Sequence, residues 1–241
     1  MRTELNMRVA RGCAGWCRAS YGSVTLRSGL AHVLVGEVDG MRVLAFRGSA
    51  ETRDWVTNAR IGLVNLGAGC VHKGFWDSMS SVLGQVRVLD QRERKEPVLI
   101  TGHSKGGAEA LLCAWALARE GWPVAGVYTF GGPRVGDWAW RKNYNGQAAN
   151  VKGAMDWTET LGAVTWRFVH QADGVARLPV WLQGWRHVGT EVLLPSTGGV
   201  VVRPGLGFKA AQSVAGIWRE WTQGKVAPVT DHPISKYVER L

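Results

Sequence analysis

A chain of 241 residues with 46% apolar side chains suits one large domain whose core needs no disulfide support. No apolar run approaches the roughly 20 residues of a transmembrane helix, and residues 1–10 lack the apolar stretch of a Sec-type signal peptide, which leaves the cytoplasm, a non-Sec export route, or a leader outside this sequence. The formal charge of +10 points to an anionic partner, such as a membrane surface, or to a generally basic exterior; no nucleic-acid motif accompanies it, and Lys and Arg are spread along the chain rather than bunched.

In chain order, residues 8–20 read as a helix with Cys13 and Cys17 on one face. With Cys70 and Cys113 they read as free thiols, because no His/Cys pair is spaced to complete a zinc site. His32 to Val38 and Met41 to Phe46 form two apolar runs joined by Asp39-Gly40, a tight-hairpin signal. His72 to about Asp90 has apolar residues at helical spacing. A strand follows at 98–102 and a helix at 105–120, stopped by Gly121 and Pro123. Val124 to Phe130 is a buried strand; residues 137–163 read as polar and irregular, with a short helix at most. Val164 to His170 and His187 to Leu194 are further strands. A Gly/Pro-rich turn at 195–207 leads to an amphipathic segment, Phe208 to Trp221, whose Trp218 and Trp221 suit core packing first, and otherwise cover for an acyl chain or contact with a membrane. The alternation implies an α/β fold: a mostly parallel sheet with helices on both faces and an antiparallel N-terminal hairpin. Nothing marks an internal boundary, so a single domain is expected over 1–241.

The chemistry centres on Gly102-His103-Ser104-Lys105-Gly106-Gly107, a serine between a strand and a helix with glycine two residues either side. That arrangement is a nucleophile elbow: the sharp turn lifts the hydroxyl from the sheet, and the small flanking residues let strand and helix pass closely. A Gly-rich turn with Ser104 as a helix cap is the competing structural reading. A nucleophilic serine needs a base and an acid to orient it, in the order Ser, Asp or Glu, His for this architecture. Asp173, after the strand ending at His170, is preferred over Asp137; either could instead form an Asx turn or a helix cap. His232, late in the chain, is preferred as base over His187, which opens a strand, and over His170, which lies within one. The oxyanion hole calls for two donors: the N–H of Lys105, and Ser49 from the loop after Phe46.

Phe46-Arg47-Gly48-Ser49, Asp54-Trp55, Val71-His72-Lys73-Gly74-Phe75, the Ser104 elbow, Thr129-Phe130-Gly131-Gly132-Pro133-Arg134-Val135-Gly136, Asp173, Leu178-Pro179 and His187-Val188-Gly189 form an ordered series. It resembles the class 3, fungal-type lipases over about residues 30–195. The resemblance implies an α/β-hydrolase fold, Ser104 as nucleophile, Asp173 as triad acid, His232 as base, and Ser49 with Lys105 as the oxyanion hole. It implies a short helical lid after Ser49, here Glu51 to Ala59 with Trp55 and Val56 on its apolar side. Two departures stand out. Lys105 occupies a position that is usually apolar in the family, where a cation at a helix N-terminus is mildly unfavourable unless paired, for example with Glu109. The lid segment is also polar for a lipid-facing flap. The expected activity is hydrolysis of carboxylic esters of lipids, with no cofactor, no metal and no obligate protein partner. A phospholipase A1 acting on anionic lipid, a non-catalytic lipid-binding protein on the same scaffold, and acyl transfer to another alcohol are the alternatives.

Overall fold

The computed structural model describes residues 4–49, 62–89, 96–152, 158–171, 173–179, 184–195, 197–208 and 232–241. Helix α1 (Met7–Ala19) is followed by β1 (Leu26–Ser28), β2 (Ala31–Val38) and β3 (Met41–Phe46). A small hairpin, β4 (Leu63–Asn65) and β5 (Cys70–His72), leads into α2 (Lys73–Leu89). Strand β6 (Val98–His103), helix α3 (Lys105–Arg119) and strand β7 (Val124–Phe130) form the central β-α-β unit. Then come α4 (Trp138–Gly146), β8 (Ala148–Lys152), β9 (Thr158–Thr160), α5 (Leu161–Val164), β10 (Thr165–His170), β11 (Thr190–Leu194), β12 (Val201–Val202) and α6 (Ile234–Arg240).

Eight strands share one sheet in the order β1-β2-β3-β6-β7-β10-β11-β12. The five from β3 to β11 are parallel, and the outer pairs are antiparallel. Every residue of β6 and β10 is buried, which is why both read as continuous apolar runs rather than alternating ones. Successive side chains still divide between two cores. Val43, Leu99, Tyr128 and Phe168 pack with α1 and α6 on one face, and Leu44, Ile100 and Val127 pack with α2 and α3 on the other. The expected hairpin is present, with Asp39 and Gly40 both at positive φ as a type I′ turn requires. Cys13, Cys17 and Cys113 are buried free thiols, and Cys70 is free and partly buried. Burial raises the Cys17 thiol to about 12, which keeps it protonated and inert. Five tryptophans among the described residues, at 115, 122, 140, 166 and 185, are buried in the fold.

Two expectations need correction. Residues 137–163 are not irregular: they hold α4, the β8–β9 hairpin and α5. Polar Asn150 is ordered by a structural task, its amide donating to the carbonyls of Ala118 (2.7 Å) and Trp122 (3.0 Å) at the end of α3. The strand expected from His187 starts only at Thr190, because the preceding backbone bonds elsewhere: Arg186 N–H to the Gly136 carbonyl (2.8 Å) and Gly189 N–H to Asn145 Oδ1 (2.9 Å). The lid residues Trp55 and Val56, and Trp218 and Trp221 of the late amphipathic segment, lie outside the described residues. Among the described residues no helix is long and apolar enough to cross a membrane.

Candidate active site

Strand β6 ends at His103, and α3 begins at Lys105, so one residue makes the whole turn. Ser104 does so at φ 57° and ψ −129°, a conformation that costs an L-residue about 1–3 kcal/mol. The backbone around it is packed to contact. A β-carbon on Gly102 would stand 2.1 Å from the Gly106 carbonyl oxygen, and one on Gly106 would stand 2.2 Å from that of Phe46. The Ser104 N–H donates to the Phe130 carbonyl (3.0 Å), pinning the turn to β7. The competing reading of Ser104 as a helix cap fails, since its side chain makes no capping bond. Its Oγ is buried and has no hydrogen-bond partner.

Asp173 and His232 meet although they are far apart in sequence. His232 Nδ1 lies 2.9 Å from Asp173 Oδ2. The same oxygen accepts from the Tyr237 hydroxyl (2.6 Å), and Oδ1 accepts from the N–H groups of Val175 (2.9 Å) and Ala176 (3.4 Å). Asp173 is fully buried, and these four donors hold its carboxylate. A carboxylate on Nδ1 fixes the imidazole tautomer with that proton on Nδ1, leaving Nε2 a lone-pair acceptor. His232 Nε2 is buried and without a partner, as Ser104 Oγ is. Gly131 allows this approach: a β-carbon there would sit 2.6 Å from Asp173 Oδ2 and 3.1 Å from His232 Cε1.

A second histidine ties the elbow to His232. His103 Nε2 donates to the His232 carbonyl (2.8 Å), and its Nδ1 accepts from the Tyr21 hydroxyl (2.7 Å). Burial, aided by the neighbouring His232, pushes His103 down to about 3, so it is neutral at physiological pH and bonded at both nitrogens. Tyr237 and Tyr21 were not singled out from sequence. Each is one aromatic residue in a long chain, and only the fold shows where its hydroxyl goes.

The loop after β3 passes against the elbow, a β-carbon on Gly48 standing 2.7 Å from the His103 carbonyl oxygen and 3.1 Å from Ser104 Cβ. Ser49, the next residue, is half-buried, and the first turn of α3 carries N–H groups without intrahelical acceptors. The Lys105 ammonium turns to protein partners: Glu109 Oε1 (2.5 Å), Ser78 Oγ (3.0 Å) and the Leu30 carbonyl (3.1 Å). Glu109 is fully buried, and its carboxyl is raised by burial, opposed by Lys105.

The rivals have other partners. Asp137 caps α4 through Trp140 N–H (2.8 Å) and holds Cys70 N–H (3.0 Å). His187 Nε2 bonds the Ala176 carbonyl (2.8 Å). His170 closes β10, with its N–H donating to Tyr237 (3.1 Å). Among the described residues no group of three His, Cys, Asp or Glu side chains could hold a metal ion.

Residues 43–183 match the family model of the class 3 lipases, so the match spans both the Ser104 elbow and Asp173. The chain is 32% identical over 186 residues to the secreted mono- and diacylglycerol lipase A of Penicillium cyclopium, covering 74% of this chain and 56% of that protein. It is 34% identical over 172 residues to a lipase of Rhizomucor miehei, covering 67% of this chain and 44% of that one. The chain thus spans about half the length of the curated relatives it matches. The solved structure of the Rhizomucor miehei triacylglyceride lipase superposes with a TM-score of 0.64 at 26% identity, covering 81% of each chain. The sheet and its flanking helices are those of an α/β-hydrolase. With more than half of its residues under the family model and the fold shared, this chain belongs to the class 3 lipases.

Proposed function

We propose that residues 1–241 form a single domain that hydrolyses carboxylic esters of lipids through an acyl-enzyme on Ser104. One observation carries the reading: the buried Ser104 hydroxyl and the buried Nε2 of an Asp173-bonded His232 are both without partners. His232 takes the serine proton at Nε2 as Oγ attacks the ester carbonyl. Asp173 stabilises the imidazolium without taking its proton. The N–H groups of Ser49 and Lys105 receive the charge that develops on the carbonyl oxygen. The imidazolium then protonates the leaving alcohol, and water, deprotonated by His232, releases the acid and restores Ser104. Trp55 and Val56 belong to a lid over the acyl chain in this reading.

Ser104→Ala should lower hydrolysis of p-nitrophenyl butyrate by about 10³-fold or more, and labelling by a serine-directed phosphonate should disappear with it. Full activity in that variant would refute Ser104 as the nucleophile, and an unlabelled, inactive wild-type protein would favour a non-catalytic lipid-binding role. The charge of +10 favours a second reading, transient contact with anionic membrane and phospholipase A1 activity. Faster cleavage of phosphatidylglycerol than of triglyceride, suppressed by salt, is its signature; the reverse order removes it.

A further inference from the structure

The cations that look scattered in sequence converge in space. A cleft of about 720 Å³ is lined by Arg134, Arg141, Arg167, Arg186 and Arg203, with Glu191 as the one acid among the described residues of its wall. These arginines come from five separate stretches: the loop after β7, α4, β10, the approach to β11, and the turn after β12. None of Ser104, Asp173 or His232 lines it.

Two features make it more than a basic patch. The first is Arg167, in β10 and 6% exposed. Its Nε donates to the Val188 carbonyl (2.7 Å) and its Nη2 to Glu191 (3.3 Å), but Nη1 is buried with no acceptor. An unpaired guanidinium N–H inside a protein is costly, and an acceptor oxygen brought to it would lower that cost. The second is that the surrounding arginines are already held. Arg134 bonds the carbonyls of Arg177 and Pro179, Arg141 stacks on Trp138 with 4.8 Å to the ring centroid, and Arg203 Nη2 lies 3.5 Å from Thr190 Oγ1. Desolvation and the crowding of Arg167, Arg186 and Arg177 push Arg134 down to about 10, opposed by Glu191 alone.

We propose that this cleft binds a phosphoryl anion, as a site separate from Ser104, Asp173 and His232. Five guanidinium groups against one carboxylate leave an excess that a carboxylate monoanion would only begin to balance. A phosphoryl group offers up to two charges and several acceptor oxygens, which planar guanidinium forks engage in pairs. The group can arrive as soluble phosphate or a phosphomonoester, or as the headgroup of an anionic lipid.

Titration calorimetry at constant ionic strength, with inorganic phosphate and then glycerol 3-phosphate, tests this directly. Saturable one-to-one binding is expected, weakened about tenfold by the double substitution Arg141→Gln/Arg203→Gln, and unchanged by Arg27→Gln on the remote edge strand. Arg167→Gln should weaken it further; if that variant does not fold, the double variant at the rim decides. Sedimentation with phosphatidylcholine vesicles, with and without phosphatidic acid, separates the sources. Retention by phosphatidic acid that the double variant loses assigns the lipid headgroup; soluble binding without retention assigns a free phosphate ester. Absence of saturable binding to all three probes, binding indifferent to the cleft substitutions, or laurate binding as tightly as phosphate would overturn the proposal.

Discussion

The elbow and the basic cleft each contain a largely enclosed cation, and the two are treated in opposite ways. Lys105, beside Ser104, has three protein acceptors within one turn of helix and two neighbouring segments. Arg167, in the cleft, has two, and one nitrogen is left over. The comparison shows that a cation next to Ser104 need not face it: the Lys105 ammonium is taken up by the scaffold. Positive charge becomes available to a ligand in the cleft, where carboxylates run out.

The largest expected effect breaks one region and spares the other. His232→Ala should reduce ester hydrolysis by about 10³–10⁴-fold while phosphate titration of the cleft stays as in the wild type; a parallel loss of both would merge the two sites. Next is the Lys105–Glu109 ion pair. Glu109→Ala leaves the Lys105 ammonium, only 12% exposed at its side chain, beside an empty buried site, and should cost about 3–5 kcal/mol in urea unfolding. Lys105→Met/Glu109→Leu removes both charges and should restore most of that stability with hydrolysis retained. Lost activity in a fully stable double variant would show that the Lys105 side chain takes part in the chemistry.

A third prediction uses pH. The unfolded chain takes up a proton near pH 6.5 that native His103 refuses until about 3. Stability from this group is therefore complete above pH 6.5 and declines as pH falls towards 3, by about 1.4 kcal/mol per unit within that window. Urea midpoints at pH 7, 6 and 5 should show this slope in the wild type and a shallower one in His103→Gln; equal slopes would exclude His103 as its source. The smallest effect is in the cleft. Glu191→Gln removes the opposing acid and should tighten phosphate binding by about fivefold, whereas unchanged affinity would show that the carboxylate does not face the ligand.

How legible each region is in the sequence follows from the range of its contacts. The Ser104 elbow is local: strand, turn, small residues and helix follow one another within a few positions, and sterics force that order. Asp173 and His232 are read from chain order and from their places after strands, and the fold brings them into hydrogen-bond contact. Asp137 shows the weakness of that logic, since an acid after a strand is equally good as a cap, and only its bonds to Trp140 and Cys70 N–H decide. Tyr237 and Tyr21 are silent in sequence because a tyrosine hydroxyl on a partly apolar helix or loop has no spacing rule. The polar 148–152 stretch is missed because its order comes from Asn150 completing another helix. The cleft is the extreme case: residues from 134 to 203 contribute one arginine at a time, so dispersion along the chain gives no hint of convergence in space.

The contacts at Gly102 and Gly106 also set limits on how this region can change over generations. A methyl group at either position would drive into a carbonyl oxygen at little over 2 Å, and both oxygens belong to backbone that cannot step aside. Random variation across the elbow is therefore filtered to nothing at these two positions before any test of catalysis. Position 105 has no such filter, because its side chain leaves the turn for the space between α2 and α3. Change there is filtered instead through the ion pair with fully buried Glu109, so a laboratory library should accept new residues at 105 mainly together with a change at 109.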